Sequence, residues 1–197
     1  MIQAPAVFGL LLTLAYLIGA IPFSAIIARF KGVDLRRVGS GNYGATNVYR
    51  ALGLNYALFV FILDALKGTA VVYLTMSMFT SPVLHVLIGF TAIFGHTFSL
   101  FLGFKGGKGV ATAAGVFAIL APKPFLITFL VVISVIYLTK IVSIGTLIGC
   151  VLLPVLMVVF NTSPVIFYSI LPISFFIVIK HRSNIVRLIK GTENKLK

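Results

Sequence analysis

Long apolar runs alternate with short polar segments along the whole chain. The runs fall near residues 5–27, 55–79, 83–103, 110–121, 124–139, 141–160 and 164–180, and Gly, Pro, Ser or charged residues separate them. A hydrocarbon core about 30 Å thick is crossed by roughly 20 helical residues. The pattern therefore predicts an all-α integral membrane protein with seven transmembrane helices, forming one polytopic domain over residues 1–197. The first run is too long for a signal-peptide core and no basic residue precedes it, so it reads as a retained span.

Composition agrees with this pattern, since 60% of the residues are hydrophobic and 10% charged, more apolar surface than a soluble domain can bury. The net charge of +13 follows from topology. With the N-terminus outside and the C-terminus cytoplasmic, fourteen of the sixteen Lys and Arg lie in inward segments, against Lys123 outside and Lys67 within a span. The cations thus point to anionic lipid and give no reason to invoke nucleic acid. Cys150, alone in an apolar run, excludes an internal disulfide and reads as a packing residue.

The fourth run is the short one. Val110–Leu120 gives only about 16 Å of helix, yet if it did not cross, the strong charge asymmetry would disappear. Seven spans are kept by starting this helix within the preceding glycines, which puts part of that segment below the membrane surface.

Three polar clusters interrupt the apolar pattern. The first, RRVGSGNYGATNVYRALG, brings Gly39, Gly41 and Gly44 for tight turns, short polar groups on Ser40, Asn42, Thr46 and Asn47, and a planar phosphate-binding fork on Arg50. It reads as an anion cradle or as a glycine-rich connection capping a helix. The second, GHTFSLFLGFKGGKGVAT, sets Gly106, Gly107, Lys108 and Gly109 before a helix. It is not the nucleotide P-loop, because Gly103 precedes Gly107-Lys108 by one residue too few and Gly109 stands where Ser or Thr is required. Successive glycine N–H groups, a helix N-terminus and Lys108 would still hold an anion; the alternative is close helix packing with snorkelling lysines. His96, near the end of the third run, is a candidate acid, base or donor beside that segment, or a packing residue.

In the third cluster, KHRSNIVRLIKGTENK, helical spacing places His181, Asn184 and Arg187 on one face; the alternative is a polybasic tail holding lipid. Glu193 is one of only three acids. Asp64 and Lys67, three apart in the second run, can pair on one helix face, as a packing device or a functional group. His85 receives no role. No set of thiolates, histidines and carboxylates has metal-ligand spacing, so neither metal nor cofactor is expected.

These motifs, with AYLIGAIPFS in the first run and DALKG in the second, resemble the acyl-phosphate-dependent, membrane-embedded glycerol-3-phosphate acyltransferases, the PlsY family. The resemblance runs from Ala15 to Asn194; Ala20 departs from it, standing where serine is more usual. It implies seven spans in the bacterial inner membrane and an active site facing the cytoplasm; no obligate protein partner is evident from the sequence. The implied reaction transfers an acyl group from acyl phosphate to the 1-hydroxyl of sn-glycerol 3-phosphate, giving lysophosphatidate and inorganic phosphate, the first acylation of phospholipid synthesis. It also implies that Ser40, Arg50, Lys108, His181, Asn184 and Arg187 bind substrate, that Gly41, Asn42, Thr46 and Asn47 shape the first loop, and that Gly106, Gly107 and Gly109 shape the second. Ser40, His96, Lys108, His181 and Glu193 are the catalytic candidates, and the three clusters are expected to share one pocket.

No His-x4-Asp arrangement is present, since Phe90, Phe101 and Val186 stand five residues after the three histidines. With no credible cysteine nucleophile, direct attack on the mixed anhydride is expected rather than an acyl-enzyme. The rival reading, a phosphate transporter or lipid flippase, is disfavoured by clusters gathered at one face and by the lack of a sequence repeat. A third, a lipid-binding scaffold, would bind without turnover.

Overall fold

The computed structural model describes residues 4–196, which form ten α-helices and two short 3-10 turns, with no strand among the described residues. The helices are α1 (Ala4–Ala20), α2 (Phe23–Phe30), α3 (Ala45–Leu52), α4 (Leu54–Met78), α5 (Pro82–Thr97), α6 (Val110–Leu120), α7 (Pro122–Thr139), α8 (Val142–Val159), α9 (Pro164–Lys180) and α10 (Arg182–Ile189). The chain divides between Ile119 and Leu120 into two compact units. By length and apolarity, five segments among the described residues can cross a bilayer: Ala6–Phe30, α4, Pro82–Leu102, α7 and α8; α9 and α10, bent 59° at their junction, make a sixth candidate.

In the first unit, helices approach through glycines. Lipid tails are as apolar as leucine, so helices in a membrane gain little by merely burying side chains, and close van der Waals contact does more. Between α1 and α5, a Cβ at Gly19 would run into the backbone of Ala92 and one at Gly95 into that of Tyr16. Between α4 and α6, Gly68 lies against the Thr112 carbonyl and Gly115 against that of Ala65, and Thr69 Oγ1 donates to Gly115 O at 3.1 Å.

The first predicted span is present, over Ala6–Phe30, but its helix is interrupted. Pro22 has no N–H to continue α1 and disfavours helical backbone before it, so α1 stops at Ala20 and α2 starts at Phe23. Gly32 (φ +70°) then closes α2, with Gly32 N bonded to Arg29 O and Val33 N to Ala28 O.

The fourth helix does not begin among the glycines, contrary to expectation. Gly103 (φ +62°), Phe104 (φ +60°) and Gly109 (φ +86°) all have left-handed backbone, which a right-handed helix cannot contain, so α6 starts at Val110 and has 11 residues.

In the second unit, α7 and α8 pack where Gly145 and Gly149 face Val132 and Ile136. Lys140 (φ +60°) turns the chain between them. Gly191 (φ +67°) ends α10 in a Schellman turn, with Gly191 N bonded to Leu188 O and Thr192 N to Arg187 O. That turn sends the tail back, and Leu196 N reaches Lys140 O at 2.7 Å.

Candidate active site

The first loop is folded by its own side chains. Asp34 caps the turn Leu35–Arg37 by accepting from Arg36 N at 3.0 Å, and hydrogen bonds from the Arg36 side chain and backbone hold its carboxyl down to about 2. Asn47, in the first turn of α3 and fully buried, accepts from Ser40 N at 3.0 Å and from Ser40 Oγ at 3.4 Å, while its Nδ2 donates to Leu35 O at 3.0 Å. Asn47 thus staples the loop to the start of α3. Gly39 (φ +57°) and Gly41 (φ +67°) supply the left-handed turns around Ser40, which is left exposed. A Cβ at Gly39 would meet Asn47 Oδ1 and Arg50 Cδ, so the loop lies directly against α3 and its Arg50. Thr46, half-buried, lies two residues after Gly44, the N-cap of α3.

Asn42 Nδ2 donates to Gly106 O at 3.5 Å, and this bond joins the first loop to the second. Gly106 and Gly107 owe their identity to a close neighbour. A Cβ at Gly106 would run into His96 O, and one at Gly107 into the His96 ring at Nε2. Gly107 N also donates to His96 O at 3.2 Å. The segment lies on the end of α5, and the next residue, half-buried Lys108, leads into α6.

Behind His96 stand Asp64 and Lys67. Lys67 Nζ is 2.7 Å from Asp64 Oδ1 and 3.2 Å from His96 Nδ1, and it donates to Gly19 O at 3.0 Å and Ile21 O at 2.9 Å. All three side chains are buried. The break after α1 frees carbonyls that lipid cannot satisfy; Lys67 meets two of them, and Ser99 Oγ donates to a third, Ala20 O. A small cavity beside this cluster is lined by Ser24, Tyr43, Asp64, His96, Ser99 and Gly107, among others. The sequence pairs Asp64 with Lys67 by their spacing, but gives no sign that His96 joins them.

In the second unit, Glu193 organises the third cluster. Its carboxylate accepts from Asn184 Nδ2 at 2.5 Å, Arg187 Nε at 2.6 Å and Ser143 Oγ at 3.1 Å. Burial pushes the Glu193 carboxyl up, but the bonds from Arg187 and Asn184, with the Arg187 charge and Ser143, outweigh it and hold the group below its ordinary range. The Schellman turn at Gly191 is what carries Glu193 back to α10. His181, buried at the junction of α9 and α10, donates from Nδ1 to Ile177 O at 2.8 Å. The expected face of His181, Asn184 and Arg187 is thereby given a carboxylate on which two of its members converge. Ser143, which sequence reasoning missed, lies fifty residues from Glu193 and carries no local signal.

Known proteins resemble the chain over nearly all its length. The family profile for glycerol-3-phosphate acyltransferase matches residues 9–191. The glycerol-3-phosphate acyltransferase of Desulforamulus reducens is 44% identical over 184 residues, 92% of each chain. Glycerol-3-phosphate acyltransferase 1 of Deinococcus radiodurans is 46% identical over 187 residues, 95% of this chain and 94% of its own. The crystal structure of PlsY, an integral membrane glycerol 3-phosphate acyltransferase, in its glycerol 3-phosphate form has a TM-score of 0.92 and 38% identity over 96% of both chains. Its lysophosphatidic acid form gives 0.89 and 37% over 95% of this chain and 94% of that one. Helical architecture, buried polar clusters and near full-length similarity converge: the chain belongs to the glycerol-3-phosphate acyltransferase family and has the all-helical integral membrane fold of PlsY.

Proposed function

We propose that this acyltransferase uses acyl phosphate as donor, and that the 1-hydroxyl of sn-glycerol 3-phosphate attacks the donor carbonyl directly. The new ester C–O bond forms as the C–O bond to phosphate breaks, and the hydroxyl proton leaves with a base. The products are 1-acyl-sn-glycerol 3-phosphate and inorganic phosphate. Lys108 and the N–H groups of Gly106, Gly107 and Gly109 hold the donor phosphate, with Ser40 as a hydroxyl donor. Arg50, Asn184 and Arg187 hold glycerol phosphate, and His181 Nε2 or the departing phosphate takes the proton. We place the site on the cytoplasmic face of the bacterial inner membrane, in a chain of seven crossings with its N-terminus outside.

The observation that supports this most is the Glu193 carboxylate. It binds Arg187 through Nε alone, which leaves the two terminal nitrogens of a half-buried guanidinium to face an anion. A related chain has been solved with glycerol 3-phosphate, in keeping with that role.

The test is detergent-solubilised protein given acyl phosphate with and without glycerol 3-phosphate. Phosphate release that requires the acceptor, with lysophosphatidate formed and no sealed compartment, is the expected result. Release from donor alone, or a stable acylated protein, contradicts direct attack. His181→Ala turning over at the wild-type rate would exclude that histidine as the base and leave the proton to the donor phosphate.

A further inference from the structure

Asp64 and Lys67 lie deep in α4 and are not explained by binding either substrate. If they served only to neutralise one another, the 2.7 Å contact within one helical turn would suffice. Instead the ammonium also reaches the end of α1 through Gly19 O and Ile21 O, and the end of α5 through His96 Nδ1. One charge therefore ties three helices together.

His96 carries this connection outward. Its Nδ1 lies 3.2 Å from Lys67 Nζ and, at 3.7 Å, beyond hydrogen-bond reach of Asp64 Oδ1. The Nδ1 edge of the ring faces Lys67, and Nε2 is the edge turned toward Gly107. The ring is buried between the ion pair and the glycine backbone and also lines the small cavity beside them. Gly106 and Gly107 rest on the ring and on the His96 and Thr97 carbonyls, and Lys108 follows at once.

We infer that Asp64, Lys67 and His96 form a positioning device that holds the glycine segment, and with it Lys108, in the conformation that receives the donor phosphate. The inference rests on the reading above in giving Lys108 that role. His96 is here a positioning residue. The contact order is Asp64 to Lys67, Lys67 to His96, His96 to Gly107, and Gly107 to Lys108 through the chain.

The test uses the single native cysteine to advantage, since Cys150→Ala leaves a cysteine-free background. Phe104→Cys reports on the exposed glycine segment, and Asn161→Cys, in the α8–α9 connection, serves as control. In full-length protein in detergent, Lys67→Met is expected to raise the maleimide labelling rate at position 104 by about fivefold or more, with position 161 unchanged, as local opening requires. Michaelis constants should divide in the same way: about tenfold or more weaker for acyl phosphate, since small misplacements of a binding group are costly, and little changed for glycerol 3-phosphate. His96→Ala, which leaves the ion pair intact, should give the same two signatures and guards against misfolding of the charge variant. Unchanged labelling at position 104 in either folded variant overturns the proposal, as does an equal rise at both positions or an equal weakening toward both substrates. Labelling needs no turnover: a site-specific rise in a protein that does not use acyl phosphate would sink the donor assignment alone and uphold the positioning device.

Discussion

Two carboxylate–cation pairs divide the chemistry of this molecule. Asp64 and Lys67 are one turn apart on α4, nearly sealed from solvent, and spend their remaining capacity on freed backbone carbonyls and on His96. Glu193 and Arg187 meet across a Schellman turn, with Arg187 only half-buried, and the carboxylate gathers side chains from α8 and α10. Where lipid is the solvent, every acceptor must be met from within, so the deep pair builds backbone. The second pair instead gathers side-chain donors on a buried carboxylate, and only its guanidinium partner is half-exposed.

The sharpest way to break this contrast is to remove one charge from each. Asp64→Asn strands a buried ammonium and is expected to lower stability by about 3–5 kcal/mol, read by thermal unfolding in detergent. Asp64→Asn with Lys67→Met removes that penalty but strands the carbonyls of Gly19 and Ile21, leaving a deficit of about 1–3 kcal/mol. Full recovery in the double variant would show that the pair does no more than neutralise itself. Glu193→Gln weakens the bonds to a carboxylate whose side chain is 3% exposed and should lower stability by about 1–3 kcal/mol, while its acyl transfer falls by about a hundredfold because the binding groups lose their alignment.

Gly107→Ala probes the region where the first pair meets the glycine segment. Its Cβ must displace the His96 ring, so stability should fall by about 1–3 kcal/mol, with donor use weakened and acceptor use little changed.

The smallest expected effect is with pH. Because the folded-state pKa of Glu193 lies below its ordinary value of 4.5, its contribution is complete above that value and is lost as pH falls through the lowered one. The part of glycerol 3-phosphate affinity that depends on Glu193 should therefore hold down to about pH 4.5 and weaken below it, whereas Glu193→Gln should show less of that acid limb. An acid limb of the same size in the variant would remove Glu193 as its source.

Much of this architecture is written locally. Apolar run length places α4, α7, α8 and α9 to within two residues or so at each end, and helical spacing puts Asn184 with Arg187 and Asp64 with Lys67. Elements that depend on backbone sign or on distant partners were less legible. The run through Pro22 reads as one span and is one, Ala6–Phe30, but run length does not show that its helix is interrupted before Phe23, and the segment before Val110 reads as helical although Gly103, Phe104 and Gly109 have positive φ. Three glycines expected to shape a ligand loop divide on inspection: Gly106 and Gly107 allow contact with α5, and Gly109 permits a left-handed turn. His96 is 29 residues from Lys67, and Ser143 is fifty from Glu193; no periodicity spans such distances.

The most direct test of the central claim is a pair of Michaelis constants measured in Lys108→Ala and Arg187→Ala. The account predicts a crossed result, with Lys108→Ala losing affinity chiefly for acyl phosphate and Arg187→Ala chiefly for glycerol 3-phosphate. Equal losses toward both substrates in both variants would contradict it.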